Sequence, residues 1–263
     1  MSEAQPSGHE RPEAERRHQN AGQDAPRSIH SVWHDVECGR YTADLALWRE
    51  LARRADGPIL DVGAGAGRVA LHLARAGHSV TALDHDPELL AVLEERARAA
   101  GLDIETVVAD AAAFDVGEDA FALVLVPMQT IQLLPERGGF FASARRALSP
   151  GGLAAIAIAD ALESFEEGAE MPLPDIGEAD GWRFVSQPTV VRPVPGGVRI
   201  ERIRQAIAPG GERTMEDDVV VLADVTVGQV EAEGVAAGLR PAGTRHVEAT
   251  ADHVGAEVVI LRG

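Results

Sequence analysis

Residues 59–68, reading ILDVGAGAGR, constrain the chain more than any other segment. A short apolar run ends at Asp61 and Val62, passes through three alternating glycines, and enters a stretch with helical apolar spacing. A strand that turns on glycines straight into a helix is the opening unit of a parallel α/β sheet. The glycines allow the tight turn and a close approach to the backbone, and the helix N-terminus offers unpaired N–H groups to an anionic ligand. Two patterns overlap here. Gly65-x-Gly67-x-x-Ala70 fits the dinucleotide fingerprint with Ala at its last position, and Asp61-x-Gly63-x-Gly65-x-Gly67 fits a different one. Taken alone, the loop does not choose between them.

The chain around the loop alternates strand and helix. Apolar spacing predicts a helix over 41–54, strands over 58–62, 79–83, 104–108, 121–126 and 153–159, and helices over 69–76, 87–100 and 138–148. Asp86 before Pro87 is a capping signal. Alternation of this kind gives right-handed crossovers and a parallel sheet. The rhythm then breaks. Residues 161–181 are acidic with two prolines and read as a loop or short irregular helix. Strand-like runs over 183–193, 198–208 and 213–223 come next, separated by Pro-Gly-Gly turns, which is an antiparallel meander. A helix over 227–237 behind Thr226 and two strands over 240–247 and 257–261 close the chain. The expected division is a disordered tail at 1–28, a core at 29–160, a lid insertion at 161–223, and a helix with a strand pair at 224–263 that completes the core sheet.

Composition narrows the partners. The net charge is −18, so a chain that would gain nothing from phosphate counterion release is a poor candidate for nucleic acid. It is equally poorly matched to an anionic membrane, and no apolar run approaches a membrane span. The start carries no secretory signal, and the single cysteine, Cys38, allows no intrachain disulfide, so a cytoplasmic location is expected. No His/Cys/Asp cluster has metal-ligand spacing, and no metal is expected.

Three acids and one apolar segment settle the choice that the loop leaves open. Asp61 ends the first strand, Asp84 the second and Asp110 the third, and residues 123–134 (LVLVPMQTIQLL) span the fourth strand and the turn after it. With the loop, these positions resemble class I S-adenosylmethionine-dependent methyltransferases of the small-molecule type. The resemblance is strong over 41–160 and looser over 225–263. It implies an α/β, Rossmann-like, mostly parallel seven-stranded sheet, here with the antiparallel meander as a lid insertion. It implies S-adenosyl-L-methionine as cofactor and methyl transfer to N or O of a small molecule. A non-catalytic S-adenosylmethionine-binding protein and an NAD(P)-dependent oxidoreductase are the alternatives.

Carried onto this chain, the resemblance assigns the cofactor to Asp61, Gly63, Ala64, Gly65 and Gly67 in the loop, with Asp84 on the ribose diol and His85 beside the adenine. A carboxylate can accept both hydroxyl hydrogens of a diol. Asp110 and the Ala111 amide meet the adenine edge. The carbonyl of Pro127 or Met128 accepts from the methionine ammonium, and Tyr41 and Arg68 are candidates for the methionine carboxylate. Residues 30–37, before Tyr41, resemble the segment that closes over the cofactor in small-molecule members. His34, Gln129 and Tyr41 are the candidate catalytic groups. Trp33, Gln129, Gln132 and Asp160 are candidate acceptor contacts. The lid arginines, Arg192, Arg199, Arg202 and Arg204, either recognise an acidic acceptor or pair with the lid's own acids, and the lid is the candidate homodimer face.

Overall fold

The computed structural model describes residues 29–159, 172–250 and 253–263. The tail at 1–28, the acidic stretch before residue 172 and Asp160 lie outside the described residues.

The core sheet takes its order from the strand–helix alternation. Its strands are β1 (Ile59–Val62), β2 (Val80–Asp84), β3 (Ile104–Val108), β4 (Phe121–Val126), β5 (Leu148–Ala159), β10 (Arg240–Val247) and β11 (Ala256–Arg262), in the order β10-β11-β5-β4-β1-β2-β3. β1 to β5 are parallel, whereas β11 enters antiparallel between β5 and β10. Alternate residues of a strand face opposite sides. Ile59, Leu123 and Leu125 therefore pack with Trp48, Leu73 and Leu93 on one face. Leu60, Val62, Val124 and Val126 pack with Phe140, Phe141 and Val230 on the other. Burial on both faces is why these strands are almost wholly apolar, and it makes Asp61, also at 0% exposure, an exception to be explained.

Helices α1 (Ile29–Cys38) and α2 (Leu45–Ala55) precede β1. Helices α3 (Arg68–Arg75) and α4 (Pro87–Ala99) follow β1 and β2. A single turn of helix, α5 (Thr130–Leu133), follows β4, then α6 (Gly138–Ala147), and α7 (Val227–Ala236) precedes β10. Asp86 caps α4 by accepting from the Glu88 and Leu89 amides, and Thr226 with Gln229 forms a capping box on α7. No helix among the described residues is long and apolar enough to cross a membrane.

The structure departs from the sequence reading in several places. Ile29–Cys38 is a helix, and α2 begins at Leu45 rather than at residue 41. β5 begins at Leu148 because that residue already pairs with Phe121; the chain then bulges and resumes at Leu123 with Leu153. The meander has a fourth strand, β6 (Asp175–Ala179), in the stretch read as a loop, beside β7 (Trp182–Val194), β8 (Gly197–Ile207) and β9 (Arg213–Ala223). Asp180 and Gly181 both take positive φ, 50° and 81°, which is the two-residue hairpin turn whose twist suits antiparallel strands.

One buried ion pair fixes α2 against α3. The Asp44 carboxylate accepts from both Arg68 Nη atoms at 2.6 and 2.7 Å and from Trp48 Nε1 at 2.7 Å. The Asp44 and Arg68 side chains are 3% and 10% exposed. Removing one partner strands a buried charge, which costs about 3–5 kcal/mol. Asp44→Ala should lower unfolding stability by about that amount in a urea titration; a loss below about 1 kcal/mol would show that the pair does not anchor α2.

Candidate functional site

The loop between β1 and α3 is shaped by the end of β2. The Gly63 and Ala64 amides both donate to the Leu83 carbonyl, at 2.8 and 3.0 Å, and the Gly65 amide donates to Asp84 Oδ2 at 2.7 Å. The same carboxylate accepts from the Asp86 amide at 3.0 Å through Oδ1. Asp84 is thus 6% exposed but has lone pairs left over, because an ionised carboxylate offers about four acceptor positions. Gly65 and Gly67 have φ of 53° and 91°, and a Cβ on Gly67 would lie 2.7 Å from Leu93 Cγ. A Cβ on Gly65 would overlap the His34 imidazole. The sequence therefore needs glycine here both for the turn and for close packing.

Asp61 lies directly before this loop. Neither carboxylate oxygen has a hydrogen-bond partner of normal geometry among the described residues. Burial pushes its pKa up to about 7; the Arg68 charge and the Ala70 amide pull the other way, and Asp84 and Asp44 raise it further. A buried acid without a partner is costly in either protonation state, and such a group beside a ligand loop is suited to receiving a cation.

Around the loop, the predicted residues fall into three groups. Asp61, Gly63, Ala64, Gly65, Gly67, Asp84 and His34 are brought together. His34 sits between the loop and Asp84 and Asp35, and burial holds its imidazole pKa low against those two acids. Its Nδ1 has no partner among the described residues. His85 is exposed and reaches Asp84 with Nδ1 at 3.2 Å. Asp110 is exposed at the end of β3, where Oδ1 accepts from the Ala112 amide at 2.8 Å, and Ala111 is half-buried beside it.

The second group lies after β4. Met128 is a non-glycine residue at φ 54°, a conformation that costs about 1–3 kcal/mol and redirects the chain at the strand end. The Pro127 carbonyl accepts from the Thr130 hydroxyl at 3.2 Å, and Thr130 in turn covers Gly63. Gln129 stands before α5 without a side-chain cap. Gln132 is buried, and its amide joins two backbones: Nε2 donates to the Ala223 carbonyl at 3.1 Å, and Oε1 accepts from the Ala159 amide at 2.7 Å.

The third group is occupied by other partners. Arg68 is committed to Asp44 and to the Tyr41 carbonyl at 2.9 Å, and its guanidinium lies 5.1 Å from the Tyr41 ring centre. Tyr41 is buried against that guanidinium and against the His253 ring at 5.0 Å. Trp33 packs edge-on to Phe184 of β7 at 5.1 Å. The lid arginines meet acids: Arg199 and Arg192 meet Glu201 at 2.7 and 3.4 Å, and Arg202 and Arg204 meet Asp218 at 3.4 and 3.0 Å.

Sequence reasoning missed Asp44, gave Glu37 no role of its own, and ranked His253 low. Asp44 has the signature of a helix cap, and spacing gives no hint of Arg68 as its partner. His253 arrives beside Tyr41 only because β11 is antiparallel and brings its preceding loop to the ends of β1, β4 and β5.

A cavity of about 300 Å³ opens under the lid at the end of β5. Gln132, Ala159, Leu222, Asp224 and Glu257 are among its walls. Among the described residues, no group of three or more His, Cys, Asp or Glu is placed to hold a metal.

The buried Asp61 sets a pH dependence. Its pKa in the folded chain lies above the unfolded value of about 3.8, so it favours folding below pH 4, and that contribution is lost as pH rises through about 7. Asp61→Asn should therefore gain stability relative to the parent between pH 5 and 8, by about 1–4 kcal/mol at the upper end, in ligand-free urea titrations. An identical pH profile for the two proteins would show that Asp61 is not raised.

Residues 59–152 match the model of the methyltransferase domain family. Among curated proteins, an uncharacterised protein of Mycobacterium tuberculosis is 45% identical over 73 residues, 28% of this chain and 26% of that one. A ubiquinone biosynthesis O-methyltransferase of Methylocella silvestris is 34% identical over 140 residues, 51% of this chain and 54% of that one. The chain thus spans between a quarter and about half the length of these relatives. Among solved structures, DesVI of Streptomyces venezuelae superposes with a TM-score of 0.67 at 19% identity, covering 90% of this chain and 99% of that one. The sugar N-methyltransferase KedS8 of a Streptoalloteichus species gives 0.66 at 19% identity, covering 98% of each. Residues 59–152 are thus similar to the methyltransferase domain family, and the chain shares the fold of the DesVI and KedS8 structures.

Proposed function

We propose that this chain is an S-adenosylmethionine-dependent methyltransferase acting on a small molecule. The observation that carries the proposal is the fully buried carboxylate of Asp61 below the glycine loop, which has no charged partner in hydrogen-bond contact among the described residues. When bound, S-adenosylmethionine supplies a methyl group already activated on a sulfonium. The protein then has to orient, exclude water and hold the acceptor in line.

Each residue has a task it can perform from where it sits. Asp61 receives the ammonium of the amino-acid end. Asp84 keeps the loop folded with one oxygen and offers its remaining lone pairs to the ribose hydroxyls. Asp110 and the Ala111 amide face the adenine edge, with His85 alongside. The Pro127 and Met128 carbonyls project from the strained turn after β4. Arg68 acts by holding Tyr41 and α2 in place, since its Nη groups are already used. His34 covers the loop, where burial lowers its pKa and disfavours the charged imidazole.

The acceptor is assigned to the side of the loop beneath the lid. The 300 Å³ cavity at the end of β5 is the proposed space, with Gln132 in its wall, and Gln129 precedes Gln132 on the same turn. Asp160, outside the described residues, stays a proposed acceptor contact from the sequence alone. The cavity walls include Asp224 and Glu257, and the four lid arginines are matched by acids, so the site favours an amine-bearing acceptor over an anionic one. This favours transfer to N over transfer to O. The sugar N-methyltransferase KedS8 is consistent with it, whereas the ubiquinone relative methylates oxygen. The antiparallel β11 next to β5 departs from the strand order 3-2-1-4-5-6 of the dinucleotide-binding sheet and disfavours a dinucleotide oxidoreductase.

Calorimetry with S-adenosylhomocysteine should give one saturable site, and Asp84→Ala should weaken it by about 1–3 kcal/mol, the scale of a lost charge-assisted hydrogen bond. NADH binding in place of S-adenosylhomocysteine would overturn the assignment. Unchanged affinity in Asp84→Ala would overturn the placement of the ribose.

A further inference from the structure

Helix α1 is attached to two bodies, and the attachments differ in kind. Towards the core it meets α4 through the bidentate Asp35–Arg96 pair, whose side chains are 38% and 39% exposed, reaches Asp86 with His30 Nε2 at 3.1 Å, and lays His34 on Gly65. At that exposure the pair is more open to salt screening than a buried one. Towards the lid, α1 buries Trp33 and Val36 among Phe184, Ala206 and Trp182. A Cβ on Gly177 of β6 would overlap Val36, so the helix lies directly on that strand.

Glu37 completes the lid side. Its side chain is 9% exposed. Oε1 accepts from Arg204 Nε and from Ser186 Oγ, both at 2.8 Å, and Oε2 accepts from Arg204 Nη2 at 2.8 Å. Arg202 Nη1 stands 3.6 Å away. Burial alone would raise this carboxyl; the Arg204 hydrogen bonds, the two arginine charges and Ser186 outweigh it and hold the pKa below the usual carboxylate range. Arg204 also lies 5.5 Å from the Trp33 ring centre. Ser186 belongs to β7, and Arg202 and Arg204 belong to β8. A bidentate arginine–carboxylate pair is directional, and opening this one strands the buried Glu37 carboxylate, while Arg204 keeps Asp218 at 3.0 Å.

We propose that Glu37 is a positioning residue that locks the helix over the glycine loop to the acceptor lid, so that α1 and the strands β7 and β8 open and close as one unit. The lock rests on residues of the fold itself, and its use by cofactor rests on the S-adenosylmethionine reading above. The consequence is a coupling between two binding events. A ligand seated at Gly63–Gly67 bears on His34, hence on α1, and through Glu37 on a sheet that meets the core elsewhere at its β9 end, where Gln132 holds Ala223. Cofactor exchange then requires the lid to lift, and a loaded cofactor presents a pre-set acceptor site.

Hydrogen exchange read by mass spectrometry on the full chain tests this in two arms. In the ligand-free protein, α1 (29–38) and the lid strands (182–207) should share one opening protection, as members of one cooperative unit do. Glu37→Gln, which preserves shape, and independently Arg204→Gln, should separate them by roughly tenfold in exchange rate. Equal protection retained in both variants overturns the lock. In the second arm, S-adenosylhomocysteine should slow exchange at 63–68, at 29–38 and at 182–207 in the parent. In Glu37→Gln the loop should still be protected while the lid response disappears. Protection of the loop without any response at 182–207 in the parent overturns the coupling. Absence of protection at 63–68 overturns the cofactor reading, and the ligand-free arm still decides the lock.

Discussion

The hydrogen bond from the Gly65 amide to Asp84 joins the two halves of the site. It ties the turn after β1 to the end of β2, and with the paired amides on the Leu83 carbonyl it fixes where α3 begins. Every other placement depends on that. Asp61 is trapped beneath the loop because β1 is central in a sheet covered on both faces. Arg68, the first residue of α3, is thereby set against Asp44 and Tyr41. The chain thus places a buried acid, a glycine turn and a helix N-terminus together, and the buried acid is costly without a partner.

Much of this was legible in the sequence because it is local. The alternation of apolar runs with capped helices gives the sheet and its parallel part. The acids at the ends of β1, β2 and β3 stand where the strands stop, so their gathering at one edge of the sheet is a matter of topology alone. Where local signals were weak, the reading fell short. β6 has one large apolar residue in five, and only the Asp180-Gly181 turn announces it. β5 starts inside a Pro-Gly-Gly segment that looks like a turn, because the strand bulges there.

Long-range partners were not legible. Arg68 meets Asp44 across 24 residues, and Arg204 meets Glu37 across 167. Nothing in the spacing of either pair distinguishes it from solvent-facing charge. The same applies to Trp33, which stands in a segment expected to cover the cofactor yet turns its ring to Phe184 of the lid. His34, one residue on, points the other way to the loop. That one-residue difference gives α1 a core face and a lid face and makes it the connection between them. Gln132, expected beside an acceptor, ties the ends of β5 and β9 with one amide hydrogen and one oxygen lone pair and lines the cavity.

The central claim is that Asp61 faces the ammonium of S-adenosylmethionine. It can be tested by following the carboxyl ¹³C shift of Asp61 against pH in aspartate-labelled protein, with Asp61→Asn for assignment. In the free protein the carboxyl should titrate near pH 7, where burial places it. With saturating S-adenosylhomocysteine, whose amino-acid end carries the same ammonium, the midpoint should fall by at least about two pH units, as expected for an opposite charge brought within contact. A midpoint that stays near 7 with the ligand bound would contradict the account.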